Sequence, residues 1–246
     1  WWFAESISTA DIDSQLEWIR ENGFGGVEIA WVYPYDAGSP ASVGGDGRTT
    51  AKWLGPEWRR LVVHAAKACA ARGLGCDFTL GTLWPFGGSR VQLEDASMTY
   101  RGPSMQRLED SWESVHGRSE SLIVNHLDRE AVKRYAAPIV EALQPALSAD
   151  SDRSSALFSD SWEVEPEGLW TPGFGDGFEA QFGYRVEPFM ARLSDHPDVS
   201  YDYFRYRGRL VLSGFFETLA AISKDAGAVS RVQCHGAPTD LVAAYA

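Results

Sequence analysis

Short apolar runs alternate along the chain with longer stretches whose apolar residues recur every three or four positions. That alternation predicts βα units around a parallel sheet. Trp1 to Ala4 reads as the tail of a first strand. Ile12, Leu16 and Ile19 share one helical face, and Gly23 closes that helix. Residues 26–32 read as a second, buried strand, followed by a polar, Gly-rich stretch over 34–50. Gly55-Pro56 places proline at the first helical position, where its missing N–H costs nothing. Trp58, Leu61, Val62, Ala65 and Cys69 form the buried face of that helix, and Gly73 stops it. Residues 75–81 give a third strand with a loop over 82–88. Residues 89–120 are polar and too long for a plain connection, so they are expected to be an insertion carrying a hairpin. Residues 122–124 form a short strand leading into a helix over 128–147. Asp128 is its N-cap, and Pro138 is expected to bend or interrupt it. Residues 156–162 are a fourth strand, followed by a long irregular loop through Trp170. A long amphipathic helix is expected over 201–226, a fifth strand over 229–234, and a new helix near Thr239.

About five barrel strands are thus present, where a closed ring of this type has eight. The expected fold is α/β, a (β/α)8 TIM-type barrel that is incomplete. Residues 1–246 are read as one partial catalytic barrel with an insertion around 89–120. A doubly wound sheet is the structural rival. No GxGxxG opens a helix after a strand, and the glycines at 173–177 follow Trp-Thr-Pro and read as a loop.

The 246 residues are 44% hydrophobic, enough for a substantial core. A net charge of −12 makes nucleic acid and anionic membranes poor partners. No apolar run approaches the roughly 20 residues of a membrane span, so membrane insertion is not expected. The chain begins Trp1-Trp2-Phe3 without Met and reads as the inside of a longer protein. Cys69, Cys76 and Cys234 form no CxxC and read as small core residues. Ten tryptophans are a heavy load: most must pack, while others can offer flat indole faces to sugar rings.

In such barrels the working residues sit at the C-terminal ends of strands. That rule selects Trp31 after strand two, Trp84 after strand three, Asp160, Trp162 and Glu163 at strand four, and Gln233 and His235 after strand five. Glu163 stands out. A carboxyl group at the end of a buried strand, ringed by aromatics, is disfavoured in its charged form and can donate a proton near neutral pH. Asp160 can orient a neighbour, bind a sugar hydroxyl or cap a loop. Strand alternation sets it on a different face from Glu163 unless the strand bulges. Glu28 lies inside strand two and points either into the barrel or at a helix. His64 reads as structural, His116 and His196 as solvated, and His126 as a weaker site candidate. Neither HExxH nor GxSxG occurs.

Several blocks resemble glycoside hydrolase family 106. They are Trp1-Trp2-Phe3 and Gly25-Gly26-Val27-Glu28-Ile29, then Gly55-Pro56-Glu57-Trp58, then Ser159-Asp160-Ser161-Trp162-Glu163 with Trp170-Thr171-Pro172, and finally Gln233-Cys234-His235-Gly236. The resemblance implies an inverting α-L-rhamnosidase-like enzyme that removes terminal deoxysugars from glycans, with Glu163 as general acid. Asp160, Trp162, Trp84, Trp31, Gln233, His235 and Trp170 are expected to contact the substrate. Inversion needs a second carboxylate roughly 6.5–9.5 Å away to activate water. The resemblance sets that base beyond Ala246, in a Pro-Glu-containing segment. It also implies a calcium ion near the sugar, without assigning its ligands. An enzyme that degrades plant or bacterial polysaccharide is compatible with export. The alternative reading is a non-catalytic carbohydrate-binding barrel, or an inactive fragment lacking the base.

Overall fold

The computed structural model describes residues 7–30, 53–81, 85–88, 90–101, 104–107, 122–150, 154–162, 164 and 168–245. In chain order its elements are α1 (Thr9–Glu21), β1 (Gly26–Ile29), α2 (Pro56–Ala71), β2 (Gly75–Thr79), β3 (Gly87–Gly88), β4 (Met98–Arg101), β5 (Ser104–Arg107) and β6 (Leu122–Ile123). There follow α3 (Arg129–Leu147), β7 (Ala156–Ser159), β8 (Leu169–Trp170), α4 (Phe174–Phe182), α5 (Pro197–Val211), α6 (Glu217–Asp225), β9 (Val229–Val232) and α7 (Leu241–Tyr245). The chain forms two compact units. One comprises Trp1–Leu83, Ala136–Asp160 and Ala220–Val232, and the other Trp84–Tyr135, Ser161–Leu219 and Gln233–Ala246.

The first unit is built on a four-stranded parallel sheet in the order β1-β2-β7-β9. Strand order follows chain order, without the reversal that defines a doubly wound sheet. These are the second to fifth strands expected from the sequence. The expected first strand at Trp1–Ala4 lies outside the described residues, and a closed ring of eight strands is not present among them. Ile29, Phe78 and Leu157 form one cross-strand row, and all three are buried. Each such side chain contributes about 1.5–3 kcal/mol. Because side chains alternate, Glu28, Asp77, Thr79, Phe158 and Arg231 occupy the other face.

α1 begins with a capping box. Ser8 Oγ accepts from the Asp11 N–H at 3.2 Å, and the Asp11 carboxylate accepts from the Ser8 N–H at 2.8 Å. Its Ile12 and Leu16 are fully buried, as their spacing predicts. His64 of α2 meets Asp13 of α1 at 3.2 Å, and Arg72 reaches both Asp13 and Glu17 at 3.3 Å. His64 is therefore a helix–helix tie.

Asp128 caps α3, accepting from the Glu130 N–H at 2.9 Å. Pro138 does not interrupt this helix, which continues through both Pro138 and Pro145 to Leu147. The carbonyl that loses its donor at Pro138 belongs to exposed Arg134 and can be hydrated. The buried row Ala131, Val132, Tyr135, Ala136, Ile139, Ala142 and Leu143 outweighs the proline cost of about 3 kcal/mol.

The expected helix over 201–226 starts earlier, with Pro197 in its first turn, and it is not uniform. Between α5 and α6, residues Leu212–Phe216 form a π-turn, one residue looser than an α-helix.

In the second unit β4 pairs antiparallel with both β5 and β8. The β4–β5 pair, with Met98 opposite Arg107, is a hairpin inside the region expected to carry one. Residues 108–121 lie outside the described residues. β3 and β6 form a second small antiparallel pair. Trp170 is buried here, its ring 4.7 Å from Tyr100 and 4.2 Å from Phe174. Tyr203 lies beneath Phe174 and donates its hydroxyl to the Leu169 carbonyl at 2.8 Å. Burial pushes that phenol up to about 12.

Candidate functional site

Three of the residues selected from the sequence, Trp31, Trp84 and Glu163, lie outside the described residues. Those that are described fall into the two units separately. In the first, Asp160 follows β7 and is half-buried, and its carbonyl accepts from Ser159 Oγ at 3.3 Å.

The polar face of the same sheet carries an ion cluster. Glu28 of β1 accepts a hydrogen bond from Thr79 Oγ1 of β2 at 2.7 Å and a charge-assisted bond from Arg231 of β9. Arg231 also lies 3.2 Å from Asp77, and its guanidinium stacks 4.4 Å over the Phe158 ring. Asp77 in turn accepts from the Ala156 N–H at 2.8 Å. Glu28 is therefore engaged by side chains of the neighbouring strands. Two carboxylates that parallel register sets side by side are held together by one arginine. All three side chains keep partial access to water, so the pairing contributes on the order of 1 kcal/mol. No sequence periodicity singles out this set. The signal available was four polar residues, Glu28, Asp77, Thr79 and Arg231, at alternate positions inside otherwise apolar runs.

In the second unit Trp162 is almost fully buried, with 4% of its surface exposed. Its indole N–H donates to the Val164 carbonyl at 2.9 Å, and its backbone N–H donates to the His235 carbonyl at 3.0 Å. The ring meets His126 edge-on at 4.8 Å and Phe215 at 5.5 Å, and Phe215 also contacts Phe86. His126 is buried too. Burial lowers its pKa to about 4, so the imidazole is neutral at pH 7. Its Nδ1 lies 2.6 Å from the Val124 carbonyl, which fixes the proton on that nitrogen. Gly214 of the π-turn presses on the backbone beneath His126: a Cβ there would lie 2.8 Å from the Leu127 carbonyl. Gln233 and His235 are exposed beyond the end of β9. Gly236 has φ +76°, and a Cβ on it would lie 2.5 Å from the Trp162 carbonyl oxygen. The buried His126–Phe215 pair was not anticipated as a partner of Trp162. It depends on the π-turn, which leaves no mark on hydrophobic spacing.

Among the described residues no three Asp, Glu, His or Cys side chains converge as cation ligands. The one close carboxylate pair on the sheet, Glu28 and Asp77, already holds a guanidinium. The described residues therefore do not fit the calcium ion implied by resemblance. Cys69 and Cys76 form no disulfide. A hydrogen bond with Cys69, and then burial, push the Cys76 thiol up, keeping it protonated.

The fold defined by these elements is a mixed α/β fold with a sequentially ordered parallel sheet. No family model matches the chain, and no curated protein does. Among solved structures it is similar to the rhamnosidase from Novosphingobium sp. PP1Y, with a TM-score of 0.61 and 12% sequence identity over 99% of this chain. The chain spans 46% of that protein's length. At this identity the likeness is one of fold.

Proposed function

We propose that the full-length protein is a glycoside hydrolase of rhamnosidase-like type, removing terminal deoxysugars with inversion and using Glu163 as general acid. The observation that carries this reading is the match of nearly the whole chain to a rhamnosidase fold. In its support, Glu163 stands in sequence between Trp162 and Val164, both about 95% buried, so its chain neighbours are withdrawn from water. A carboxylic acid is biased towards its neutral, proton-donating form wherever it is withdrawn from water.

In the proposed reaction Glu163 gives its proton to the glycosidic oxygen as the C–O bond breaks. Water adds to the opposite face of the oxocarbenium-like centre, and a second carboxylate takes the proton that this water loses. Glu28 is not assigned that role, because Arg231 and Thr79 already engage its oxygens. Exposed Gln233 and His235 are proposed to bond sugar hydroxyls, and half-buried Asp160 is proposed as a further hydroxyl ligand.

The test is Glu163→Gln in the complete protein. Turnover of glycosides with poor leaving groups should fall by about 10² to 10⁴. Activated aryl glycosides, which need less protonation, should lose much less, and NMR of the first product should show the inverted anomer. Equal losses on both substrate types would remove Glu163 from the acid role. Sugar binding without turnover by the unaltered protein would favour a non-catalytic carbohydrate-binding barrel.

A further inference from the structure

We infer that Cys69 and Cys76 are a redox pair: a small external disulfide oxidises them to a bond that pins the end of α2 to the start of β2. The inference is independent of the function proposed above. Both residues belong to the first unit, and Cys76 lies at the end of its sheet opposite to Asp160. α2 ends in a Schellman turn. The Leu74 N–H donates to the Cys69 carbonyl at 3.0 Å, and the Gly73 N–H donates to the Ala70 carbonyl at 3.1 Å. Gly73 supplies the left-handed residue that this turn requires, with φ +70°. The chain is thereby folded back onto the helix at Cys69 itself. Side chains alternate along the strand that follows, so Cys76 shares a face with Leu74 and Phe78, both buried.

α2 packs on β2, and Cys69 is fully buried on its inner side. The two thiols are hydrogen-bonded to each other. Cys76 keeps partial access to water. One sulfur is therefore reachable, and the second is sheltered directly behind it. Packing alone would be met by alanine, as at Ala65, Ala66 and Ala68 of the same helix. Oxidation follows thiol–disulfide exchange. The Cys76 sulfur gives up its proton, attacks the external disulfide and releases one of its halves as a thiolate. The Cys69 sulfur gives up its proton in turn, attacks the mixed disulfide at Cys76 and releases the other half. Two protein thiols are oxidised to one disulfide, and the external disulfide is reduced to two thiols.

The test is a peptide map of the complete protein after exposure to reduced or oxidised glutathione, with remaining thiols alkylated before digestion by trypsin. Cleavage after Lys67, Arg72 and Arg90 puts Cys69 on the peptide 68–72 and Cys76 on the peptide 73–90. A bond between them therefore appears in the mass spectrum as one joined species, which dithiothreitol separates. We expect that species to dominate in oxidised glutathione. The oxidised protein should melt about 5 °C above the reduced one, the effect of closing a loop of about eight residues. In Cys69→Ser, Cys76 should stop at its glutathione adduct. In Cys76→Ser, buried Cys69 should stay unmodified. If either variant fails to fold, the map of the unaltered protein decides alone. Three results overturn the inference: both thiols alkylated on separate peptides after long exposure, a glutathione adduct on Cys76 that Cys69 does not displace, or a joined species that forms only in urea. A joined species that melts no later than the reduced protein would equally overturn the pinning of α2 to β2.

Discussion

A neutral histidine in an aromatic cage costs the protein something in acid. His126 has a folded pKa of about 4, against the ordinary 6.5, and the rings packed on it, Phe86, Trp162 and Phe215, do not titrate. Above about pH 6.5 the ring is neutral whether the chain is folded or not, and its contribution to stability is complete. Between about pH 6.5 and 4 the unfolded chain takes up a proton that the folded one refuses, so stability falls with pH. Below about pH 4 this loss stops growing. It amounts to about 3 kcal/mol. Urea midpoints at pH 7 and pH 4.5 should therefore converge more for His126→Gln than for the natural chain, and unchanged spacing would contradict the buried neutral state. The burial of this residue was not legible in the sequence. His126 sits just after a strand of two residues, too short to show an alternation that would say which way its side chain turns.

At the level of elements, local signals were readable wherever one residue decides the outcome. Pro56 and Asp128 begin helices, and the apolar runs at 75–79 and 156–159 are strands, as their composition predicts. Reading failed where packing overrides a local preference. Pro138 is carried inside α3 by its buried row, and the turn over Leu212–Phe216 adds a residue without disturbing the apolar spacing on either side. The π-turn gives a direct prediction. Gly214→Ala must push a methyl into the Leu127 and His126 carbonyls, which belong to backbone and cannot swing aside. It should cost about 1–3 kcal/mol. A lowered melting temperature should be accompanied by loss of near-ultraviolet circular dichroism from the Trp162–Phe215 cluster. A variant with unaltered melting would show that the helix can shift to absorb the methyl.

Over the whole molecule, the parallel sheet and its order were legible because each strand run is followed by a helical one. The ion cluster was not, because Glu28, Asp77 and Arg231 become neighbours only once register is fixed. Each segment of the second unit follows, in chain order, the end of a sheet strand: Trp84 after β2, Ser161 after β7 and Gln233 after β9. Adjacent strands are thereby pulled far apart along the polypeptide. Asp77 and Ala156 are 79 positions apart, and Glu28 and Arg231 are 203. Non-local pairing of this kind slows folding, because loop-closure entropy is lost before any contact repays it. During synthesis β1 and β2 must wait at the ribosome with one edge bare until β7 has emerged, its Ala156 lying 79 positions beyond Asp77, and the guanidinium that joins their carboxylates arrives later still. An unpaired strand edge of that kind is a template for unwanted pairing until it is covered.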